Sequence, residues 1–331
     1  MESSESVPIG VDSKGRKTLT TFLQILGSVA LISVLVYLVE PGSILDALRG
    51  ADIMLVLSAA GLAIPSVGLS IAVWWILLRC IEPSLPFRSA AGAVMAGYTL
   101  ALVTPARVGE PGARIYYHRR LGKARLFGAF AVQGIYRTAL YFVGGAIALG
   151  FAVSAGLLGA DIWIPVAIAG ALAGFLFVMA GLFPTGVVAM MGRISILGRV
   201  LPSLDFVSNI SRGATASLFL TSTLRYLTTL TQFSLLLIAT GVPAGFSTQM
   251  SGAGFVFFIK SFVPNLFFTD LGIREGAAAF FFQSLGDVAP EAVAAALGLF
   301  GINAVLPALL GIPVLLFHPE DRPDQTKSSD K

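Results

Sequence analysis

The chain has 331 residues, of which 56% are hydrophobic and only 12% are charged, and its formal net charge at neutral pH is +4. A water-soluble domain carries about 25% charged residues, and a mean hydropathy of +0.84 leaves too much apolar surface for a fold of this size to hide from water. The composition therefore excludes a soluble protein and predicts an all-α polytopic membrane protein. The small net charge gives no indication of a nucleic-acid partner.

The apolar runs divide the chain into a membrane domain and two polar ends. Residues 1–18 are predicted to be a disordered cytosolic segment, residues 19–317 the transmembrane domain, and residues 318–331 a disordered cytosolic tail. Six runs are long enough to cross about 30 Å of hydrocarbon, which takes about 20 helical residues. These runs are 19–39, 53–78, 127–155, 162–183, 214–240 and 292–317.

Two shorter apolar stretches, 89–104 and 250–268, lead into segments broken by glycine, proline and charge. Paired interruptions at matching positions of two halves are the best sequence indication of a binding site in transporter-like membrane proteins. Glu110 and Glu275 are separated by half of the chain length, as two related halves would require. The first segment contains Pro105, Arg107, Gly109, Glu110 and Arg114, and the second contains Pro264, Asp270, Gly272, Arg274, Glu275 and Gly276.

The distribution of lysine and arginine predicts the orientation. If 89–104 crossed the membrane, the basic residues of 107–125 would face outward, against the positive-inside rule. We therefore expect six spanning helices and two re-entrant broken-helix hairpins, one from each side, with both termini cytoplasmic in a multi-pass cell-membrane protein. Arg49 is then the only basic residue in an outside loop. A plain eight-span arrangement is the alternative.

Ionisable residues at membrane depth are costly and therefore indicate a functional site. Arginine suits phosphate through its planar donor fork, so the arginines are expected to face a polar or anionic lipid headgroup, with the carboxylates holding them or reading a cationic headgroup. The alternative is that the charges neutralise each other and pin the hairpins together. The predicted binding residues are Arg107, Glu110, Arg114, Arg137, Asp270, Arg274 and Glu275.

Two further embedded cations, Arg225 and Lys260, have less definite roles. Like Arg137, each either lines a polar path toward the motifs or reaches toward the interface or a backbone carbonyl. The only histidines, His118 and His318, do not form a metal-ligand spacing, and neither a P-loop nor a dinucleotide fingerprint is present. No cofactor or metal is predicted, and an enzymatic activity is not expected.

The two broken segments resemble the transmembrane, flippase-type domain of lysylphosphatidylglycerol synthases. Pro105, Arg107, Gly109, Glu110 and Arg114 match the first signature of that family. The second signature is matched by Pro264, Gly272, Arg274, Glu275 and Gly276, with Phe268-Thr269-Asp270 in place of the usual Pro-Gly-Gly stretch.

The chain departs from the family pattern at two further places. Arg137 matches the arginine of an Arg-x-x-Asp pair, but Leu140 stands at the position of the acid. Asn303 lies near the position of an arginine that is common in the last span.

The resemblance implies a stand-alone membrane domain that moves or binds polar lipids, without the soluble aminoacyltransferase domain of the synthases. Phospholipids or polyprenyl-phosphate-linked lipids are the implied partners, with a separate lipid-modifying enzyme as a further one. An intramembrane transferase or hydrolase acting on a lipid phosphate, and a non-catalytic scaffold for a lipid-modifying enzyme, are the alternatives.

Overall fold

The computed structural model describes residues 41–104, 107–192, 201–262 and 270–316, and within these ranges the regular elements are helices. The predicted span 19–39, Pro105, Pro264 and both predicted polar ends lie outside the described residues. The α-helices are α1 Pro41–Gly50, α2 Ile53–Gly61, α3 Ala63–Ile81, α4 Phe87–Val103, α5 Gly109–Tyr117, α6 Lys123–Ser154, α7 Ala160–Leu182, α8 Pro184–Gly192, α9 Arg212–Ala239, α10 Phe246–Phe262, α11 Asp270–Phe282, α12 Ala289–Phe300 and α13 Leu306–Leu316. Short 3-10 segments cover Arg119–Leu121, Leu201–Asn209 and Gln283–Leu285, and a π-helical segment, Gly301–Val305, joins α12 to α13.

Four helical segments of the described chain are long and apolar enough to cross a membrane: Ile53–Ile81, α6, α7 and Ala289–Leu316. They coincide with four of the six predicted spans, which confirms an all-helical polytopic membrane protein. The predicted span 214–240 does form a continuous 28-residue helix, α9. It is not among the four, because serine and threonine recur along it and lower its hydropathy.

Helix α7 shows the surface that lipid must cover. Its buried residues are glycines, Gly170, Gly174 and Gly181, which let α7 approach α6 closely. The apolar side chains on its other faces are open, with Leu172 62% and Leu176 67% exposed. A helix that packs through glycine and exposes leucine is stable only where hydrocarbon replaces water.

Helix α10 is fixed to α6 and α7 by close packing around Phe258. A Cβ atom at Gly145 of α6 or at Gly170 of α7 would overlap the Phe258 ring. The hydroxyl of Ser251 in α10 also donates a hydrogen bond of 2.7 Å to the carbonyl oxygen of Ala148 in α6. These three helices therefore share one tightly fitted interface.

The first hairpin consists of α4, residues 104–108 and α5. Thr104 closes it, because its hydroxyl donates to the Leu100 carbonyl (2.6 Å) and accepts from the Gly109 backbone N–H (2.8 Å). A Cβ atom at Gly109 would overlap that same Leu100 carbonyl. Arg107, at the bend, adopts the left-handed region with φ 55°, which is uncommon for a residue with a side chain.

The second hairpin consists of α10 and α11, which pack against each other. Its turn, residues 263–269, lies outside the described part of the chain. Gly272, in the first turn of α11, has φ 106°, a conformation that a side chain would strain. Helices α4 and α10 are both 17 residues long, about 26 Å at 1.5 Å per residue. They are short for a full span, and re-entry of the hairpins stays a prediction.

The two hairpins are packed reciprocally. Helix α4 of the first hairpin lies along α13, which follows the second hairpin in the chain, and α10 of the second lies along α6, which follows the first. The hydroxyl of Thr99 in α4 donates a 2.7 Å hydrogen bond to the Ala308 carbonyl in α13. Helices α3 and α9, which precede the hairpins, pack against each other. The first and second parts of the chain are therefore interlocked.

Substitution of two neighbouring glycines tests the packing of the first hairpin. Gly109→Ala places a methyl group against the Leu100 carbonyl, whereas nothing lies within 4 Å of a Cβ at Gly112. We expect Gly109→Ala to destabilise the protein by about 1–3 kcal/mol through overpacking and Gly112→Ala to be neutral or to stabilise α5 by up to about 1 kcal/mol. Thermal unfolding in detergent measures both, and equal midpoints would contradict the close approach.

Single cysteines test the predicted orientation in a Cys80→Ser background. Position 118, the obvious choice from charge alone, is unsuitable because His118 is buried and its Nε2 lies 3.0 Å from the Ser89 hydroxyl. Arg120 and Asp287 are exposed. A membrane-impermeant thiol reagent added outside is expected to label Asp287→Cys and to leave Arg120→Cys unlabelled until the membrane is opened. Outside labelling of Arg120→Cys would favour eight spans.

Candidate functional site

A cavity of about 280 Å³ is lined by residues of both hairpins. Residues of α3, α4, α5, α6, α9, α10, α11 and α12 and of the π-helical segment line it. Its described lining contains five cations and one carboxylate. They are Arg107, Glu110, Arg137, Arg225, Lys260 and Arg274.

Glu110 holds the charged side chains of the first hairpin. Its Oε1 accepts a 2.7 Å hydrogen bond from Nη2 of Arg114, one turn later, and its Oε2 lies 3.4 Å from Nη2 of Arg107. The same carboxylate also attracts Arg137 and Arg225 electrostatically. Glu110 thus pairs directly with two guanidinium groups and acts on the other two only at longer range.

Arg114 lies behind Glu110 and does not line the cavity. Its side chain is only 1% exposed, and its guanidinium is placed over the rings of Trp74 and Phe130, 5.1 and 5.5 Å from their centres. Its Nη1 donates a 2.8 Å hydrogen bond to Oε1 of Gln133 in α6. Arg114 is therefore a positioning residue that orients Glu110 and ties α5 to α6.

In the second hairpin Glu275 holds Arg274. Glu275 is fully buried, and its Oε1 lies 3.3 Å from both Nε and Nη2 of Arg274. Its Oε2 accepts a 2.6 Å hydrogen bond from the Gly272 N–H, which fixes the carboxylate at the start of α11. Arg274 in turn lines the cavity and lies over the Phe300 ring. Each hairpin thus presents to the cavity an arginine that is paired with a glutamate. The glutamate lies three residues later in the first hairpin and directly after the arginine in the second.

Arg137 of α6 and Arg225 of α9 are different, because no carboxylate in the described part of the chain contacts them directly. Both line the cavity and are half-buried. Within the described part of the chain neither guanidinium forms an ion pair or a hydrogen bond. Glu110 attracts them only at longer range, so no direct contact offsets their charge.

Polar stripes extend from these two arginines along their helices. On α6, the cavity is also lined by Gln133 and Tyr141, which lie four residues before and four residues after Arg137. On α9, it is lined by Ser222, three residues before Arg225, and by Thr229, four residues after it. These four residues were not among the predicted site residues, although helical spacing from an arginine within an apolar run is a signal that would have found them.

The positions that depart from the family pattern also belong to the cavity. Leu140, one turn after Arg137, lines it, and so does Asn303 of the π-helical segment. Asn303 Nδ2 donates a 3.0 Å hydrogen bond to Oε1 of Gln232, whose own Nε2 donates to the Ala59 carbonyl. Asn303 is thus fixed by neutral hydrogen bonds where a charge was expected.

The remaining predicted site residues are only partly described. Asp270 is the first residue of α11, and its side chain lies outside the described atoms. Gly276 is a half-buried position of α11 close to Arg274. Lys260 near the end of α10 lines the cavity. The structure therefore brings cations of both hairpins, and of the helices beside them, into one chamber.

Comparison with known families covers most of the chain. The family model described as the lysylphosphatidylglycerol synthase TM region matches residues 22–311. No curated protein matches the sequence. The match includes both hairpins and every described cavity residue, and it confirms the resemblance seen in the two motifs. The chain belongs to the lysylphosphatidylglycerol synthase transmembrane-region family.

Proposed function

We propose that the protein is a lipid translocator that binds a polar lipid headgroup in the cavity between its hairpins. The observation that carries this proposal is the convergence of two broken hairpins, distant in sequence, on one strongly cationic chamber inside an apolar helical bundle. Broken helices at membrane depth persist only where protein or a wet cavity surrounds them. Such a chamber is the usual place for the substrate of a membrane transporter.

The cavity has the two kinds of surface that a lipid requires. Arg107, Arg137 and Arg225 offer donor forks to a headgroup. Phe257 and Leu299 supply apolar wall on the same chamber. A volume of about 280 Å³ is suited to a headgroup and too small for a whole lipid. The acyl chains therefore remain with the surrounding hydrocarbon while the headgroup enters.

The glutamates act on the arginines in this proposal. Both oxygens of Glu110 are engaged by Arg107 and Arg114, and both oxygens of Glu275 are engaged by Arg274 and the Gly272 N–H. Each carboxylate thereby keeps an arginine extended toward the cavity. Loss of either carboxylate is expected to release an arginine from its orientation and to leave it unpaired at depth.

Reconstitution into vesicles tests the proposal. Vesicles with a fluorescent phospholipid in both leaflets are treated with a membrane-impermeant quencher, and the fraction that becomes accessible reports movement in either direction. We expect rapid loss of the protected fraction with the natural protein. Arg107→Ala and Glu275→Gln are expected to slow it at least about tenfold, the effect of one lost charged hydrogen bond. Arg49→Ala is the matched control, because Arg49 is exposed in α1 and, among the described residues, forms an ion pair with its neighbour Asp46 and does not line the cavity.

The folded state of each variant is checked by extraction and thermal unfolding in the same detergent. If lipid moves no faster in vesicles with the natural protein than in vesicles without protein, the result contradicts translocation. Equal rates for all three variants mean that the hairpin charges are structural. Chemical conversion of the lipid during the assay would instead favour the enzyme alternative.

A further inference from the structure

We propose that the headgroup bound in this cavity is a phosphomonoester, held as a dianion between Arg137 of α6 and Arg225 of α9. This inference rests on the proposed function and adds the chemical class of the ligand. Its starting point is the difference among the arginines of the cavity. Glu110 and Glu275 pair directly with two of them, Arg107 and Arg274, whereas the guanidiniums of Arg137 and Arg225 form no ion pair or hydrogen bond within the described chain.

An unpartnered guanidinium is expensive inside a membrane protein. Charged residues at this depth normally pair with each other or with backbone carbonyls, and leaving one buried charge without its partner strongly destabilises a fold. Here two such groups, on two helices, line one chamber. Their retention is explained if an anionic ligand offsets part of this excess positive charge, and a ligand with two negative charges would match these two guanidiniums.

The number of charges distinguishes two classes of phosphate. A phosphodiester headgroup carries one negative charge, whereas a phosphomonoester carries about −1.5 to −2 at pH 7 and has three acceptor oxygens. Each guanidinium can donate two parallel hydrogen bonds to phosphate oxygens. Thr138 and Ser222, near Arg137 and Arg225 in the chain, line the same chamber, and their hydroxyl groups are further potential donors. A terminal phosphate therefore matches the site in charge and in donor number.

The same geometry disfavours headgroups that carry an amine. The one carboxylate on the described cavity wall, Glu110, has both oxygens occupied by Arg107 and Arg114. An ammonium group entering the chamber would be repelled by Arg137 and Arg225. It would find no free carboxylate on the described wall to accept its hydrogen bonds. Like-charge contacts of this kind are an effective means of rejecting a ligand.

A phosphomonoester can reach the cavity from two sources: a lipid with a terminal phosphate, or free phosphate in water. Three probes separate them, all titrated into the purified full chain in neutral detergent at pH 7.5 and constant ionic strength. They are dioctanoyl phosphatidic acid, dioctanoyl phosphatidylglycerol and sodium phosphate. We expect phosphatidic acid to bind about tenfold more tightly than phosphatidylglycerol, with only weak binding of sodium phosphate.

Charge-removing variants test the two arginines directly. Arg137→Gln and Arg225→Gln are each expected to weaken binding of phosphatidic acid about tenfold and to abolish its preference over phosphatidylglycerol. Arg49→Gln removes an equal charge from the surface and is expected to bind like the natural protein. Without ligand, the two cavity variants are expected to unfold at the same or a higher temperature than the natural protein, because each loses an uncompensated charge.

A fourth variant changes the charge balance and keeps every cation. Leu140 is one turn after Arg137 on the same cavity wall, so Leu140→Asp supplies an internal partner at i,i+3. It is expected to lower affinity for phosphatidic acid as Arg137→Gln does. Leu140→Asn, of similar size and without charge, is its control and is expected to retain the preference.

Each contrary result overturns an identifiable part of the argument. Equal affinity of the natural protein for phosphatidic acid and phosphatidylglycerol overturns the phosphomonoester and leaves lipid binding intact. An unchanged preference in Arg137→Gln and Arg225→Gln overturns the assignment to these arginines. Binding of sodium phosphate alone, with the same arginine dependence, supports the phosphate site but overturns the lipid source and with it the proposed function.

Discussion

A guanidinium group among apolar helices has to be neutralised or solvated, and the centre of this protein is organised by that requirement. Glu110 and Glu275 neutralise the arginines of the two hairpins, and Arg114 is further stabilised between aromatic rings. For Arg137 and Arg225 the described chain provides cavity space and hydroxyls but no counter-ion. The charges that the described chain supplies here are therefore not balanced, and the affinity for an anion arises from the free energy that its binding recovers.

The two helix-breaking motifs contribute to one shared cavity because the two hairpins are packed reciprocally. Each hairpin lies along a helix that follows the other hairpin, so residues of both halves line the same cavity. Arg107 from one bend and Lys260 near the other consequently face the same chamber. The glycines make this arrangement possible, since Gly109, Gly145 and Gly170 each occupy a place where a Cβ would overlap a neighbour.

Much of this architecture was predictable, because apolar run length and broken motifs are local properties of the sequence. The helical class, four of the spans and the family follow from them. The placement of Arg225 was open between a polar path and the interface, since helical spacing does not reveal which face meets another hairpin. Gln133 was missed although it lies one turn from Arg137. Arg114 was expected to face the ligand, but which side of the short α5 turns inward depends on Trp74 and Phe130, which are distant in sequence.

The packing around Phe258 has a mechanical consequence. Helices α6, α7 and α10 interdigitate through glycine so closely that none can slide past the others without a clash, and α4, α5 and α13 are joined in the same way through Gly109 and Gly311. Each of these two groups of helices is therefore tightly packed. Arg137 belongs to the first group, and Arg107 adjoins the second. A movement of one group relative to the other would change the distance between these two guanidiniums and therefore the electrostatic field inside the cavity.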